Sequence, residues 1–489
     1  MIIDGSDFTD SERLVLAGSL VESLRRRRKE LLTALEKRSA PVYGVNTGMG
    51  RLAGVALDAR QQAEHQRNLL IGRAVGGPPW LPPEDVRALF VVRLRDFLQP
   101  WSGVSPELVR FLVDRLNDGF TPAVPRFGLG SSGEIIALSH AFQTFLGVGT
   151  VLEDGVEVPA ASALAARGVT PYVLGSKEGA SLLQGSPLAV MHAQRGWAET
   201  QQLIDLQTLA AAMAIDVLGA PREVFSPVMA GGDDHLRTLL HELTELVGIG
   251  PVRPGVVQAP LSVRVAPRAL AHASRVHSDL RETWRRWETM PGDSPSFVDG
   301  SFVPGTGYHA VDLGLRMDAV TAGLAHLGEI SAQRTHRLLD ERFSGLPAQL
   351  TADPGARAGL APLHKRAAGE LHALRRLAAP ATLGSIDTSA GQEDVQAFAA
   401  AAGEQLRAAA SHLFAITACE LITASQARYL SSGDGVPGLR AAYGWVRSVV
   451  PPLDEDRPLG PEVERLITAC RDKGSSARRF TAGRSGHRP

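Results

Sequence analysis

The sequence predicts a mainly α-helical fold, with a core of long helices behind a smaller mixed N-terminal region. Three proline-free stretches carry that prediction: residues 188–218, 310–340 and 395–432. In the first, Leu203, Leu206, Leu209, Ala210, Met213 and Val217 recur at three- and four-residue spacing, which places them on one helical face. The third is dominated by Ala, Leu, Glu, Gln and Arg, all good helix formers. At about 1.5 Å per residue, a helix filling it would reach roughly 57 Å. Long helices of this kind belong in a bundle, and their Ala-rich faces suit close approach.

The N-terminal region reads differently. Turn chemistry interrupts it at Asn46-Thr47-Gly48, at Gly76-Gly77-Pro78-Pro79, at Pro122 and Pro125, and at Gly147 to Gly149. Short β-prone pieces occur at Thr150-Val151-Leu152 and Tyr172-Val173-Leu174. Length alone allows about three domains of ordinary size. The change of pattern suggests an N-terminal region over 1–190 and a helical body over 191–470. A loose basic tail over 471–489 completes the expected organisation.

Composition narrows the function. The chain has 489 residues, and 51 basic against 52 acidic residues leave a net charge of −1. That balance carries no footprint for nucleic acid or an anionic membrane. The one basic cluster, Arg25-Arg26-Arg27-Arg28-Lys29, lies in a Leu-rich helical pattern and reads as a solvated helix face. Two cysteines, Cys419 and Cys470, exclude a disulfide framework and fit a reducing compartment. The acidic start MIIDGSDFTDSE is unlike a signal peptide, and no uninterrupted apolar run reaches the roughly 20 residues that span a bilayer. The expectation is a soluble cytoplasmic protein. Asp233-Asp234-His235 could bind a metal but reads better as a polar loop, and His140 and His309 read as structural.

Gly128-Leu129-Gly130-Ser131-Ser132-Gly133 spells a dinucleotide fingerprint, with Glu153 about twenty residues on. The context is wrong for it. A buried strand should precede, yet Thr121 to Arg126 carries two prolines and an arginine. No nucleotide is expected. The same glycines free the backbone around two serines, just before a helix beginning near Glu134. With no side chain at Gly133, its nitrogen could bend back onto the carbonyl carbon of Ser131 and close a five-membered ring. Loss of water from Ser132 would then leave an exocyclic alkene. A loop that merely caps the helix is the alternative, and the motif alone does not choose.

The neighbouring segments add a resemblance. Phe127 to His140 (FGLGSSGEIIALSH) resembles the segment that forms the methylidene-imidazolone group in the histidine and phenylalanine ammonia-lyase family. Tyr43 to Gly50 looks like that family's tyrosine loop, and Lys177 to Gly185 is similar to a segment where Asn usually stands at Gln184. Ser262-Val263-Arg264 with Pro267, Gln392-Glu393-Asp394 and Asp456-Arg457-Pro458-Leu459 follow in family order, so the likeness covers roughly residues 40–470.

The resemblance implies a homotetramer whose active sites combine several subunits, and reversible loss of ammonia from an α-amino acid. The prosthetic group comes from the chain, so neither metal nor diffusible cofactor is expected. By the same resemblance Ser131, Ser132 and Gly133 supply the electrophile, Tyr43 is the catalytic base, and Arg264 grips the substrate carboxylate. A phenol ordinarily titrates near pH 10, so such a base needs activation. Arg73 falls where histidine and tyrosine lyases carry a substrate-touching histidine, and Glu393 is the choice of the histidine enzymes. Those two could instead pair with each other. Departures are Ser131 for the usual alanine, Leu261 for an assisting tyrosine, Tyr308 for phenylalanine, and Gln184 and Gly307 for asparagines. Tyr308 could return a hydroxyl that Leu261 lacks. A 2,3-aminomutase and a non-catalytic scaffold remain the alternatives to a lyase.

Overall fold

The computed structural model describes every residue except Glu12, Ser39, 249–251, 432–434 and 473–489. The chain divides into two compact units, each assembled from separate segments. The first comprises Met1–Gln194, Glu282–Leu315 and Ala381–Glu404, and the second comprises the remainder. The expected N-terminal region lies inside the first unit, which also recruits two later segments.

In the first unit, α1 (Gly18–Glu36), α2 (Ala59–Ile71), α3 (Pro83–Leu98), α4 (Pro106–Asn117), α5 (Ile135–Gln143), α6 (Ala160–Ala166) and α7 (Glu178–Leu183) are short to medium helices. Local chemistry sets their starts. Asp58 and Gln61 form a reciprocal capping box on α2, and Ser105 accepts from Leu108 N to cap α4. Three two-stranded ladders join them: β1 (Ile2–Ile3) with β2 (Val15–Leu16), β3 (Thr150–Glu153) with β4 (Val156–Pro159), and β5 (Ser296–Val298) with β6 (Ser301–Val303). The β-prone Tyr172-Val173-Leu174 forms no strand. The backbone N–H of Tyr172 donates instead to Phe145 O at 2.8 Å, and its hydroxyl donates to Glu178 at 3.1 Å.

Three long helices match the proline-free stretches, α8 (Pro187–Leu218), α12 (Val311–Leu339) and α15 (Ala399–Leu430), and a further long helix, α11 (Ala266–Trp287), lies outside them. The expected 395–432 stretch is helical from Ala399 to Leu430, 32 residues, because Val395 to Phe398 belong to the preceding loop. The second unit adds α9 (Asp234–Val247), α10 (Leu261–Arg264), α13 (Glu341–Ser344), α14 (Ala361–Leu377), α16 (Arg440–Val449) and α17 (Gly460–Arg471). Inside it, Arg334 of α12 pairs with Glu420 of α15 at 2.5 Å and donates to Gln207 of α8 at 3.0 Å. Gln207 in turn donates to Thr417 at 2.7 Å, so three helices share one buried and satisfied polar network. One helix, α15, is long and apolar enough to cross a membrane, yet its apolar window is 83% buried within the chain. It is a core helix.

Several smaller expectations change. Arg28 is buried, donating to Gly103 O at 3.1 Å, so the basic run is not wholly a solvated face. Asp233 caps α9 through Leu236 N and pairs with Arg275 at 2.8 Å. His235 meets Ser274 at 3.1 Å, and among the described residues no cluster could hold a metal. His140 accepts from Gly76 N at 3.0 Å. Asp456 accepts from Ala358 N and Gly359 N, which makes the late C-terminal signature a loop anchor. The predicted basic tail begins at the last residue of α17, and residues 473–489 lie outside the described residues.

Candidate active site

A cavity of about 540 Å³ opens in the first unit, bordered by Tyr43, Ser132, Gly133, Gln184, Tyr308 and Glu393. Six of the residues singled out from sequence therefore meet in one place. Each arrives by its own local logic.

The tyrosine loop is pinned by alternation. Val42 and Val45 turn into a core cluster with Leu31, Phe297 and Phe302, which leaves Tyr43 facing the cavity. Gly50 N donates to the Tyr43 hydroxyl oxygen at 2.8 Å, which orients the ring. Gln66 of α2, a residue not anticipated from sequence, is buried behind the loop. Its amide donates to Gly44 O at 2.9 Å and accepts from Ala180 N at 3.1 Å, tying the tyrosine loop to α7. As one of three glutamines in α2, it carried no signal of this in the sequence.

Serines 131 and 132 and Gly133 form bends ahead of α5. Ser131 N donates to Leu129 O at 3.0 Å, and Ser131 Oγ donates to Gly133 O at 2.5 Å. A side chain at Gly133 would bring Cβ within 3.2 Å of the Tyr308 carbonyl oxygen. Ser132 N points toward Glu393 Oε2 at 3.5 Å. Next in the chain, buried Glu134 accepts from Leu188 N at 2.7 Å and Ala189 N at 2.6 Å, at the N-terminus of α8. Burial pushes its carboxyl up to about 8, against the opposing pull of those two amides and of Arg93. Asp96 nearby is pushed up to about 7, again by burial.

The wall carrying Gln184 is built on buried charge. Lys177 pairs with Asp293 and also donates to Ser181 Oγ at 2.9 Å and Ser102 O at 3.2 Å. Ser181 Oγ donates to the same Asp293 carboxylate at 2.7 Å. Arg93 donates to the carbonyls of Ser181 and Gln184. The Gln184 side-chain oxygen accepts from Ser294 N, so its amide nitrogen is left toward the cavity. Gly307 is the residue this wall can hold: a Cβ there would sit 1.8 Å from Pro291 O.

Glu393 is presented by a self-bonded loop. Thr388 N donates to Glu393 O at 2.8 Å, and the carboxylate accepts from Ser389 Oγ at 2.9 Å and Thr388 Oγ1 at 3.1 Å. Ser389 and Ala390 take φ of 54° and 55°, left-handed conformations that cost roughly 1–3 kcal/mol each without glycine. Tyr308 borders the cavity with its phenol pushed up, first by burial and then by Tyr43 and Glu393.

Two predicted residues are not among those that border the cavity. Arg73 does not border the cavity. Its guanidinium donates to Leu69 O at 3.2 Å and forms no ion pair with Glu393. Burial pushes it down, while Tyr43 and Glu393 pull it up. Arg264 belongs to the second unit, where it ends α10 and donates to Ala259 O at 2.7 Å. Leu261, at the start of that helix, is 63% exposed.

The sequence profile of the aromatic amino acid lyases matches residues 6–448. The chain belongs to that family. It is 33% identical to the histidine ammonia-lyase of Deinococcus radiodurans over 471 residues, 93% of this chain and 89% of the relative. The histidine ammonia-lyase of Symbiobacterium thermophilum is also 33% identical, over 90% of this chain and 89% of its own length. Among solved structures, the tyrosine aminomutase of Streptomyces globisporus superposes with a TM-score of 0.89 at 24% identity, covering 97% of this chain and 95% of that one. Membership of the aromatic amino acid lyases makes the chain a carbon–nitrogen lyase. The mainly helical architecture is the fold of those structures.

Proposed function

We propose that the chain eliminates ammonia from an α-amino acid using an electrophile made from its own Ser131, Ser132 and Gly133. The observation that carries this is one cavity bordered by Ser132, Gly133, Tyr43 and Tyr308. The residues present suit a methylidene-imidazolone. A Cβ at Gly133 would crowd Tyr308 O at 3.2 Å, and the Ser131 hydroxyl bonds across the segment to Gly133 O. Such a group supplies an electrophilic carbon that takes up the substrate amine and improves it as a leaving group.

The remaining residues have separate tasks. Tyr43, with its oxygen held by Gly50 N, is placed to remove the β-proton. Tyr308 contributes a second hydroxyl on the same cavity. Gln184 offers an amide N–H for a substrate oxygen. Glu393, half-buried and bordering the cavity, is an acceptor for a donor-bearing or cationic side chain, which favours histidine as substrate. The 33% identity to histidine ammonia-lyases points the same way. An arginine at position 73 would favour an anionic or strongly accepting side chain, but Arg73 is not among the residues that border the cavity, so that preference weighs less.

Arg264 suits bidentate capture of a carboxylate. The family resemblance implies a homotetramer whose active sites combine several subunits, so we assign Arg264, at the end of α10 near exposed Leu261, to the active site of a neighbouring copy. Mixing Tyr43→Phe chains with Arg264→Ala chains should restore part of the activity each lacks.

Intact mass tests the central claim. Purified protein should weigh two waters less than the sequence and absorb in the near ultraviolet. It should then release an unsaturated acid from histidine or another amino acid in a panel. A β-amino acid product would instead identify an aminomutase. Full mass without a chromophore would overturn both catalytic readings.

A further inference from the structure

Ser131 is buried, and its hydroxyl donates to Gly133 O at 2.5 Å. The hollow beside it, walled by Ser186, Ala397, Phe398 and Ala399, measures about 20 Å³, room for about one water. A hydroxyl enclosed in this way needs an acceptor, and the chain supplies one two residues on. That bond spans the same three residues that ring closure must bend.

We propose that Ser131 is a positioning residue for ring formation: its hydroxyl, tied to the Gly133 carbonyl, holds residues 131–133 folded toward closure. The inference rests on the function proposed above. In the closure, the Gly133 nitrogen lone pair forms a bond to the Ser131 carbonyl carbon and gives up its proton to the former carbonyl oxygen. That hydroxyl leaves as water with the Ser132 amide proton, which makes a carbon–nitrogen double bond. A second water leaves with the Ser132 Cα proton and Cβ hydroxyl, which makes the exocyclic alkene. No oxidant is needed. Through its contact with Gly133 O, the Ser131 side chain takes part in none of these bonds. It limits how far the segment can open before the first one forms.

The neighbourhood gives this contact something to compensate. Gln184 and Gly307 replace asparagines usual in the family. The Gln184 oxygen is engaged by Ser294 N, and Gly307 has no side chain to offer. Besides the bond of Ser131 N to Leu129 O and the weak contact of Ser132 N with Glu393 at 3.5 Å, the Ser131 hydroxyl bond to Gly133 O is the one that ties the first residue of the triad to its last.

The test follows ring formation itself. Full-length parent, Ser131→Ala and Ser131→Thr chains are synthesised in a short pulse, and intact mass is read over time beside circular dichroism for folding. Ser131→Ala should lose its two waters about two- to tenfold more slowly than the parent, the range that one net hydrogen bond is worth. Ser131→Thr keeps the hydroxyl and should mature near the parent rate. Equal rates for alanine and parent overturn the inference while leaving the proposed function standing. Equal slowing of alanine and threonine overturns it too, because the hydroxyl would then not be the cause. A parent that never loses water overturns the function along with the inference.

Discussion

Replacing Lys177 with methionine should damage the cavity from behind. Its ammonium has three donors, and all three are used, on Asp293, Ser181 Oγ and Ser102 O. The two charged side chains are only 2% and 6% exposed. Removing the cation leaves the Asp293 carboxylate buried with Ser181 as its remaining side-chain donor. Breaking a buried pair from one side costs about 3–5 kcal/mol, most of it the uncompensated charge. For a unit of this size that corresponds to a melting point lower by roughly 6–20 °C. Because Asp293 adjoins Ser294, which holds the Gln184 side chain, the ring-forming fraction should fall as well. Calorimetry and intact mass on the same preparation measure both. The double variant Lys177→Met/Asp293→Leu removes both charges and should recover most of the lost stability. A single variant that melts within about 1 °C of the parent would refute the reasoning, as would a double variant no better than the single.

Gly307→Asn restores the residue usual in the family, yet the Cβ would lie 1.8 Å from Pro291 O. It should cost at least about 1–3 kcal/mol in melting experiments and give no gain in activity. Tyr308→Phe should lower turnover by up to about tenfold with little change in melting point, and unchanged turnover would end the idea that it compensates for Leu261. The Glu134 carboxyl is pushed up to about 8 from an ordinary 4.5, so between those values the folded chain holds a proton that the unfolded chain has released. Stability should therefore be greatest near the lower end of that window and fall as pH rises to about 8, with Asp96 acting in the same direction. Glu134→Gln mimics the protonated form and should flatten the melting-point profile over pH 5–9 to about the slope left by Asp96.

The sequence by itself determined the helical class, because proline-free runs with apolar residues every three or four positions have few other ways to bury themselves. Residues 188–218 and 310–340 sit almost wholly within α8 and α12, whereas α11, with Pro267 in its first turn, was not singled out from the sequence. The ordered motifs likewise placed Tyr43, Ser131-Ser132-Gly133 and Glu393 in one family of sites before any contact was known. What a linear reading could not reach were interactions between distant segments. Gln66, Arg93, Lys177 and Asp293 look like ordinary surface residues until tertiary packing buries them, and burial is what obliges each to find a partner. Tyr172 failed as a strand because strand pairing is a property of two segments, and its backbone N–H found Phe145 O instead. Only the tertiary structure turned the Arg73 guanidinium to Leu69 O and assigned Arg264 to the second unit. A resemblance aligns residues along one chain, and the partners of each side chain are decided by how the chain folds.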